Sequence, residues 1–191
     1  MTQVAHGGSR VSLDELVERH VASICTSVDR HRLRRTIAVL HELVMDAVGE
    51  QGLAPAGPLF TRYHRLGEIV TLEAGIPLAQ PIEPVGVIAA SELPGGPALR
   101  TRYAGGREQL PQRSPELERY CSIHGMRAVG PPWECYIVDG RDTPVEREWV
   151  TEIYLPVRSV GQGRSTVRSG RRTLGRVTLP RNRAIGYAFR P

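Results

Sequence analysis

Two glutamates and two tyrosines late in the chain have the types and the spacing of a small-molecule site. Glu134 and Tyr136 are two residues apart, and so are Glu152 and Tyr154. Residues two apart in a β-strand point to the same face of a sheet, so each pair presents a carboxylate beside a phenol ring. Carboxylates attract cations, and aromatic rings attract both cations and flat molecules. This segment therefore predicts a site for a cationic or flat aromatic ligand.

The distance between the two acids depends on the register of the hairpin that joins their strands. If the strands pair across the loop at 139–147, a register with Trp133 and Ile137 on the core side brings Glu134 and Glu152 close together. Two neighbouring carboxylates push their pKa values apart, so that one can remain protonated as a general acid while the other activates water. The same pair of acids therefore fits either a binding site or a hydrolytic site.

The chain contains an internal repeat. Residues 52–64 align without a gap with residues 125–137, and residues 72–78 align with residues 151–157. The alignment matches Phe60 with Trp133, Thr61 with Glu134, Tyr63 with Tyr136, and Glu73 with Glu152. Each half has the pattern strand, helix, strand, strand. We therefore predict an α+β fold of two pseudo-symmetric β-α-β-β repeats, at about 13–81 and 85–157, with a ligand groove between them.

Local patterns place the elements of each half. Residues 13–28 are rich in apolar and β-branched side chains and predict one strand, after which Asp29 can cap a helix. An apolar stripe at spacings of three and four predicts that helix, at Leu33, Ile37, Leu40, Val44 and Val48. Ser114-Pro115-Glu116 opens a second, shorter helix that Gly125 ends.

Composition limits the other classes of function. The 191 residues suit one domain, and the formal net charge of +5 comes from an arginine-rich segment, residues 158–191, which contains no acid. We predict that this segment is disordered and that residues 1–12 are a flexible lead-in. Three scattered cysteines fit a reducing compartment, and neither a signal peptide nor a membrane span is evident, so the sequence predicts a cytoplasmic protein without a membrane partner.

Motifs for cofactors and metals are not evident. The sequence has no GxSxG, P-loop or HExxH motif, and Cys121 with His124 is one isolated pair of potential ligands. We therefore predict neither a metal nor a cofactor.

The doubled pattern resembles a known family. GPPWECY and TEIYLP, together with the earlier FTRYH and LEAGIPL, are similar to the GyrI-like small-molecule-binding domain, which is the effector-binding domain of bacterial multidrug-responsive transcription activators. The resemblance covers about residues 13–158. It implies that Glu134 lies at the floor of a pocket for cationic, aromatic drugs, with Glu152 as a second acid. The ligand-binding residues predicted on this basis are Glu134, Tyr136, Glu152, Tyr154, Tyr63, Glu73 and Trp133.

Three functions follow from the resemblance. The first is binding of hydrophobic, often cationic or polyaromatic molecules, for sensing, sequestration or drug resistance. The second is hydrolysis of reactive, cyclopropane-bearing natural products, with Glu134 and Glu152 as catalytic residues. The third is inhibition of a topoisomerase such as DNA gyrase, or contact with nucleic acid, through the basic segment. Regulators of this family carry a helix-turn-helix head, and only about a dozen residues precede the first strand here, so we expect a stand-alone domain.

Overall fold

A computed structural model describes residues 11–106 and 113–160 of the chain. Most of the predicted lead-in and of the predicted arginine-rich tail, at 1–10 and 161–191, lies outside the described residues. The strands are β1 (Ser12–Leu16), β2 (Arg19–Asp29), β3 (Phe60–Arg65), β4 (Ile69–Pro77), β5 (Ala89–Leu93), β6 (Gly96–Ala104), β7 (Met126–Ala128), β8 (Trp133–Val138) and β9 (Val150–Ser159). The helices are α1 (Leu33–Glu50) and α2 (Arg113–Ile123).

The strands form one antiparallel sheet in the order β1-β6-β9-β8-β3-β4-β2-β5, and β7 pairs with the end of β9. With two helices packed on this sheet, the predicted α+β class is confirmed. The strands correspond in pairs, β3 with β8, β4 with β9, β2 with β6 and β5 with β1. Exchanging the members of every pair gives the same order read from the other edge. Such an order is what two duplicated halves joined through β3 and β8 would produce.

The single strand predicted at residues 13–28 is wrong, because the segment forms two strands. Val17 and Glu18 separate β1, which pairs with β6, from β2, which pairs with β4 and β5. β-propensity is alike on both sides of this break, so composition alone does not reveal it. The predicted cap is also wrong: Asp29 makes no side-chain capping hydrogen bond, and a short 3-10 turn, Arg30–Arg32, precedes α1.

The predicted apolar stripe of the first helix is confirmed. Ile37, Leu40, Val44 and Val48 are buried in one core cluster, and Leu33 packs against that cluster while half-buried. The second helix is confirmed at about the predicted position, ending at Ile123, and Gly125 beyond it has a φ of 63°. A left-handed residue after a helix end is the position that glycine occupies without steric cost.

Both helices cover the same face of the sheet, which we call the helix face. α1 packs on side chains of β2 and β4, including Ile24, Leu72 and Ala74, whereas α2 packs on Leu99, Ile153 and Leu155. The other face, which we call the opposite face, has a separate apolar cluster of Val21, Phe60, Leu93, Trp133 and Cys135. Both faces are therefore buried over the central strands.

The middle of the sheet carries the signature of the repeat. β3 and β8 lie side by side, with Thr61 opposite Glu134. These are the two residues that the repeat alignment matches with each other, so a pseudo-two-fold axis would pass between them. The flanking partners, Phe60 with Cys135 and Arg62 with Trp133, are also exchanged by that axis. This register supports the predicted duplication and puts Glu134 at its centre.

Short linkers bring the two edges of the sheet together. β1 and β6 lie at one end of the strand order, and β2 and β5 lie at the other. Yet only Val17 and Glu18 join β1 to β2, and only Pro94 and Gly95 join β5 to β6. Such linkers span at most about 10 Å, so the sheet must curl. A Cβ at Gly95 would lie 2.8 Å from the backbone nitrogen of Glu18, which shows that the two linkers touch. They close over the opposite face, since Leu16 and Leu93 pack there.

Gly75 allows three strands to approach each other, and we expect Gly75→Ala to destabilise the fold by about 2 kcal/mol. An added Cβ would lie 2.3 Å from the carbonyl oxygen of Ala22 and 2.9 Å from the Phe60 ring. Gly49→Ala is the matched control: no atom lies within 4 Å of a Cβ there, and alanine favours a helix by up to about 1 kcal/mol. Urea unfolding measures both variants. Equal stability of Gly75→Ala and the parent would contradict the close packing.

Candidate functional site

Glu134 lies at the centre of the helix face, with its carboxylate among hydroxyl groups. The residue is 7% exposed. The hydroxyls of Tyr63 and Tyr136 each lie 3.1 Å from Glu134 Oε2, and the Tyr136 hydroxyl is 3.0 Å from Thr61 Oγ1. Tyr63, Tyr136 and Glu134 come from both halves of the repeat, so the seam between the halves assembles this cluster.

Tyr63 acts as a neutral donor in this cluster. Burial above all, and then Tyr136 and the negative charge of Glu134, raise the pKa of Tyr63 well above its usual value. A phenol that keeps its proton donates a hydrogen bond to a carboxylate and leaves the negative charge of that carboxylate in place. Tyr63 can therefore donate to Glu134 while it keeps its own proton.

The predicted proximity of Glu134 and Glu152 is wrong. In the β8–β9 hairpin, Glu134 is opposite Ile153 and Cys135 is opposite Glu152, so the two acids point to opposite faces of the sheet. The register shifts by one residue between Tyr136 and Val138. A β-bulge of this kind reverses the facing of every residue beyond it, because side chains alternate with a period of two. Without the bulge, the register next to the loop would have put both acids on one face.

Glu152, Tyr154 and Trp133 lie together on the opposite face. The Tyr154 hydroxyl donates a 2.6 Å hydrogen bond to Glu152 Oε2, and the Trp133 and Tyr154 rings stack with centroids 5.6 Å apart. Arg100 Nη1 is 3.3 Å from Glu152 Oε1. A catalytic pair made of Glu134 and Glu152 is therefore not available, since the sheet separates the two groups.

Glu73, the counterpart of Glu152 in the first repeat, also lies on the opposite face and is held in an ion pair. The Arg62 guanidinium donates to Glu73 Oε2 through both Nε and Nη2, and the Ser23 hydroxyl donates to Oε1 at 2.8 Å. Burial alone would raise the pKa of Glu73, but the Arg62 charge and the hydrogen bonds outweigh it and lower that pKa below its usual value. The structure thus gives Glu73 a stabilising role rather than one beside Glu134.

A cavity of about 620 Å³ lies beside the Glu134 cluster and is called the α1 cavity here. This volume is in the range of pockets for small organic ligands. One helix face forms a wall, with Ala38, His41, Glu42, Met45 and Asp46; the rest comes from Leu59, Asp139, Gly140, Arg141 and Trp149. Glu134 is not among these described lining residues.

His41 and Leu59 connect the α1 cavity to the cluster. The His41 ring contacts the Tyr136 ring edge-on at 5.5 Å, and its Nε2 lies 2.9 Å from the carbonyl oxygen of Phe60. The backbone N–H of Tyr136 donates to the carbonyl of Leu59 at 2.9 Å. A group bound in the cavity would therefore contact the residues that fix Tyr136, which in turn reaches Glu134.

The lining of the α1 cavity is acidic. It contains the carboxylates of Glu42, Asp46 and Asp139, against the single guanidinium of Arg141. Arg141 pairs with Asp139 through two hydrogen bonds of 3.0 and 2.8 Å. Trp149 adds an indole that is half-buried and oriented by a hydrogen bond from its Nε1 to the carbonyl of Thr143. An excess of carboxylates beside an aromatic ring favours cationic, aromatic ligands.

Sequence reasoning missed the α1 cavity and its residues. His41, Glu42, Met45 and Asp46 recur at helical spacing next to the apolar stripe of α1, which was the available signal. That signal does not say which neighbour the flank of a helix faces. Trp149 was missed because its position depends on the fold of the hairpin loop.

The part of the chain that the structure describes shows neither a metal site nor a membrane-spanning helix. No cluster of three or more histidine, cysteine, aspartate or glutamate side chains there has the geometry to hold a metal ion. Neither helix is long and apolar enough to span a membrane.

The fold has relatives among solved structures. The crystal structure of the EcmrR C-terminal domain is 23% identical, with a TM-score of 0.72, covering 80% of this chain and 99% of that one. The cryo-EM structure of an EcmrR–DNA complex is 22% identical, with a TM-score of 0.73, and the match covers 79% of this chain but only 58% of that one. The structure of SAV2435 bound to tetraphenylphosphonium is 13% identical, with a TM-score of 0.51, and the match covers 81% of this chain and 98% of that one.

The sequence itself matches a protein family. No curated protein matches the sequence. The model of the GyrI-like small molecule binding domain matches residues 10–158, which include every described strand and helix except the last residue of β9. The chain therefore belongs to the GyrI-like small-molecule-binding domain family.

Proposed function

We propose that this chain binds hydrophobic, cationic, aromatic small molecules in the α1 cavity, with the charge of Glu134 contributing from the adjoining cluster. The observation that carries the proposal is the composition of the cavity: three carboxylates against one guanidinium, with the Trp149 indole in the same lining. A cation gains from the uncompensated acids, and its aromatic groups gain from the indole. A neutral ligand gains only the second.

The position of Glu134 supports the same ligand class. Removing a carboxylate from water is costly, and a nearby cation offsets part of that cost. Glu134 is buried, and its carboxylate accepts hydrogen bonds from the hydroxyls of Tyr63 and Tyr136. A ligand cation near Tyr136 would therefore interact with this charge through a region of low effective dielectric.

One structural relative adds support for the charge of the ligand. SAV2435, which shares the fold, has been solved with tetraphenylphosphonium, a bulky aromatic cation. At 13% identity the two proteins share the fold, and the same cation is a suitable probe for the α1 cavity. Sensing or sequestration of such compounds would need no chemical step, and the separation of Glu134 from Glu152 removes the reason for proposing a two-carboxylate hydrolase.

Tryptophan fluorescence tests the proposal, because Trp149 lines the α1 cavity and the only other tryptophan, Trp133, lies on the opposite face. In a Trp133→Phe background, we expect tetraphenylphosphonium to change Trp149 emission with saturation. Triphenylphosphine oxide, which is neutral and similarly aromatic, should bind at least tenfold more weakly. Equal affinity for the two compounds, or no saturable change with either, would contradict the proposal.

A charge variant of the cavity wall provides a second test. The double variant Glu42→Gln, Asp46→Asn should weaken tetraphenylphosphonium binding by about threefold to tenfold, since both carboxylates are exposed and screened by solvent. Glu116→Gln and Glu118→Gln on α2 form the control, because neither residue lines the described cavity. Affinity that is unchanged in the first variant at low salt would show that the α1 acids do not attract the cation.

A further inference from the structure

We propose that two copies of this chain associate through the outer side of α1, with the two helices antiparallel and related by a two-fold axis. The surface is a row of exposed side chains, which we call the outer stripe: Arg32, Arg35, Val39, Leu43, Asp46 and Glu50. Successive members are three or four residues apart, and this spacing keeps them on one side of a helix. Arg32 directly precedes α1 and has a helical backbone conformation, so it continues the row.

The outer stripe occupies a side of α1 that differs from the two sides already described. The apolar stripe of α1 faces the sheet, and His41 and Met45 lie on the wall of the α1 cavity. Asp46 is the one residue that the outer stripe shares with the described lining of that cavity. In the middle of the outer stripe, Val39 and Leu43 are 45% and 44% exposed. Two exposed apolar side chains are ordinary on a protein surface, so they indicate an interface only together with the charges around them.

The charges of the outer stripe are separated along the helix. Arg32 and Arg35 lie at the N-terminal end, and Asp46 and Glu50 lie at the C-terminal end. The helix dipole favours the reverse order, and α1 has neither an acid in its first turn nor a base in its last. Asp46 and Glu50 also repel each other at a spacing of four residues. The stability of an isolated α1 therefore does not account for this order of charges.

A second copy with its helix reversed does account for the order of charges. When two antiparallel copies of α1 lie side by side, about 8 to 10 Å apart, the basic end of each is next to the acidic end of the other. With the two-fold axis at residue 41, Val39 meets the partner's Leu43, and Arg32 meets the partner's Glu50, since each pair lies symmetrically about that residue. A parallel pair would put like charges together, so the charges specify the antiparallel arrangement.

The charged side chains of the outer stripe are available for such pairing. Among the described residues, Arg35, Asp46 and Glu50 make no side-chain hydrogen bond or ion pair. Arg32 Nε donates to His31 Nε2 at 3.2 Å, which uses one of the five N–H groups of the guanidinium. Pairing with a second copy therefore breaks no ion pair within the described part of the chain.

A groove lies against the basic end of the outer stripe. Its described lining consists of Arg32, Arg35, Thr36 and Val39. In the antiparallel arrangement this end of α1 receives the partner's Leu43 and the partner's Asp46, an apolar side chain beside Val39 and a carboxylate beside Arg35. The groove therefore has the position and the charge that the acidic end of a second α1 requires.

The size of the contact makes this dimer a weak one. α1 has 18 residues and is therefore about 27 Å long, and one pair of such helices buries less than the roughly 1,200 Å² of a stable complex. We expect a dissociation constant of about 100 µM at low salt. Exposed ion pairs are screened by salt, so a tenfold increase in ionic strength should weaken the dimer by about fivefold.

Sedimentation velocity of the full chain, from about 10 µM to about 500 µM, tests the proposal. We expect the parent protein to shift from the mass of one chain towards that of two over this range. Arg32→Glu with Arg35→Glu makes the outer stripe acidic at both ends, and Asp46→Lys with Glu50→Lys makes it basic at both ends. Each double variant should weaken the dimer by about tenfold or more, because identical copies then repel each other.

The variant that carries all four substitutions gives the most specific comparison. Its bases and acids have exchanged ends, so two antiparallel copies are complementary again, and the affinity should return to within about threefold of the parent. Positions 35 and 46 are about 16 Å apart along the helix, so pairs within one helix do not explain such a recovery. Glu15→Lys with Glu18→Lys, at two exposed acids outside α1, controls for net charge and should change the affinity by less than about twofold.

Four results would overturn the proposal. The first is a parent protein that stays monomeric at about 500 µM, as it would if another segment of the chain covered the outer stripe. The second is a pair of double variants that dimerise like the parent. The third is a fourfold variant that stays monomeric although its far-ultraviolet circular dichroism matches that of the parent. The fourth is an equal loss of affinity in the control for net charge.

Discussion

Glu134→Gln is expected to weaken the binding of tetraphenylphosphonium by about 30-fold and to change the binding of triphenylphosphine oxide by less than about twofold. Glutamine keeps the size of the side chain and removes only its charge. Two residues along a strand are about 7 Å apart, which is the scale of the separation between Glu134 and the Tyr136 end of the α1 cavity. At that distance, with an effective dielectric constant of about 20, a charge pair contributes about 2 kcal/mol.

Glu152→Gln is the matched control for this prediction. It removes the same charge from the same hairpin, but on the opposite face of the sheet, where Glu152 is paired with Arg100. Tetraphenylphosphonium affinity should change by less than about threefold. Isothermal titration calorimetry measures both variants. An equal loss of affinity for the cation and the neutral compound in Glu134→Gln would indicate damage to the cavity rather than the loss of a charge, and would contradict the assigned role.

Arg62→Met is expected to lower the free energy of unfolding by about 3 kcal/mol at pH 7. The Arg62 and Glu73 side chains are only 13% and 5% exposed, and the substitution leaves a buried carboxylate without its guanidinium. Arg102→Met is the control: Arg102 is 62% exposed and 3.9 Å from Glu152, so its loss should cost less than about 1 kcal/mol. Urea unfolding of both variants, followed by circular dichroism, gives the comparison.

The effect of Arg62→Met should depend on pH. The folded-state pKa of Glu73 is lowered, so the stability that its ionised form contributes is present above the unfolded-state value of about 4.5 and is lost as the pH falls through the folded-state pKa. The difference in stability between the parent and Arg62→Met should therefore shrink as the pH falls from about 4.5 to about 3. A difference that stays constant across this range would mean that Arg62 acts through packing rather than through the charge of Glu73.

The repeat was the feature of the sequence that predicted most about the fold. Matching Thr61 with Glu134 identified the two residues that prove to be directly opposite each other in the sheet. Local apolar spacing was sufficient for α1, since a helix with one buried side has a clear period. The family resemblance put Glu134, Tyr136 and Tyr63 in one predicted ligand-binding set, and the structure brings these three together. The other members of that set lie on the opposite face of the sheet: Glu73, Trp133, Glu152 and Tyr154.

The hairpin register was not accessible in this way. Alternation predicts which residues share a face only when one face is buried, and here four consecutive residues of β8, from Trp133 to Tyr136, are all buried. One extra residue at Ile137 then decides on which side Glu152 lies relative to Glu134. A one-residue bulge leaves no compositional trace, so an argument from spacing put both acids in one site.

The curl of the sheet was likewise beyond the reach of sequence patterns. Val17-Glu18 lies inside the segment that was predicted as one strand, and Pro94-Gly95 looks like an ordinary hairpin turn whose flanking strands would pair with each other. In the structure each linker instead joins strands from opposite ends of the strand order, and the contact at Gly95 is formed between segments far apart in sequence. Leu16 and Leu93, next to the two linkers, pack in one cluster with Phe60 and Trp133, which are far from them in sequence.

The most direct test of the proposed function is a crystal structure of the protein with tetraphenylarsonium, whose arsenic atom is located by its anomalous scattering. We predict one arsenic peak on the helix face, between α1 and the loop that contains Asp139 and Trp149, on the side of the sheet to which Glu134 points. A peak on the opposite face beside Trp133 and Tyr154, or no peak at saturating concentrations of the cation, would contradict the account.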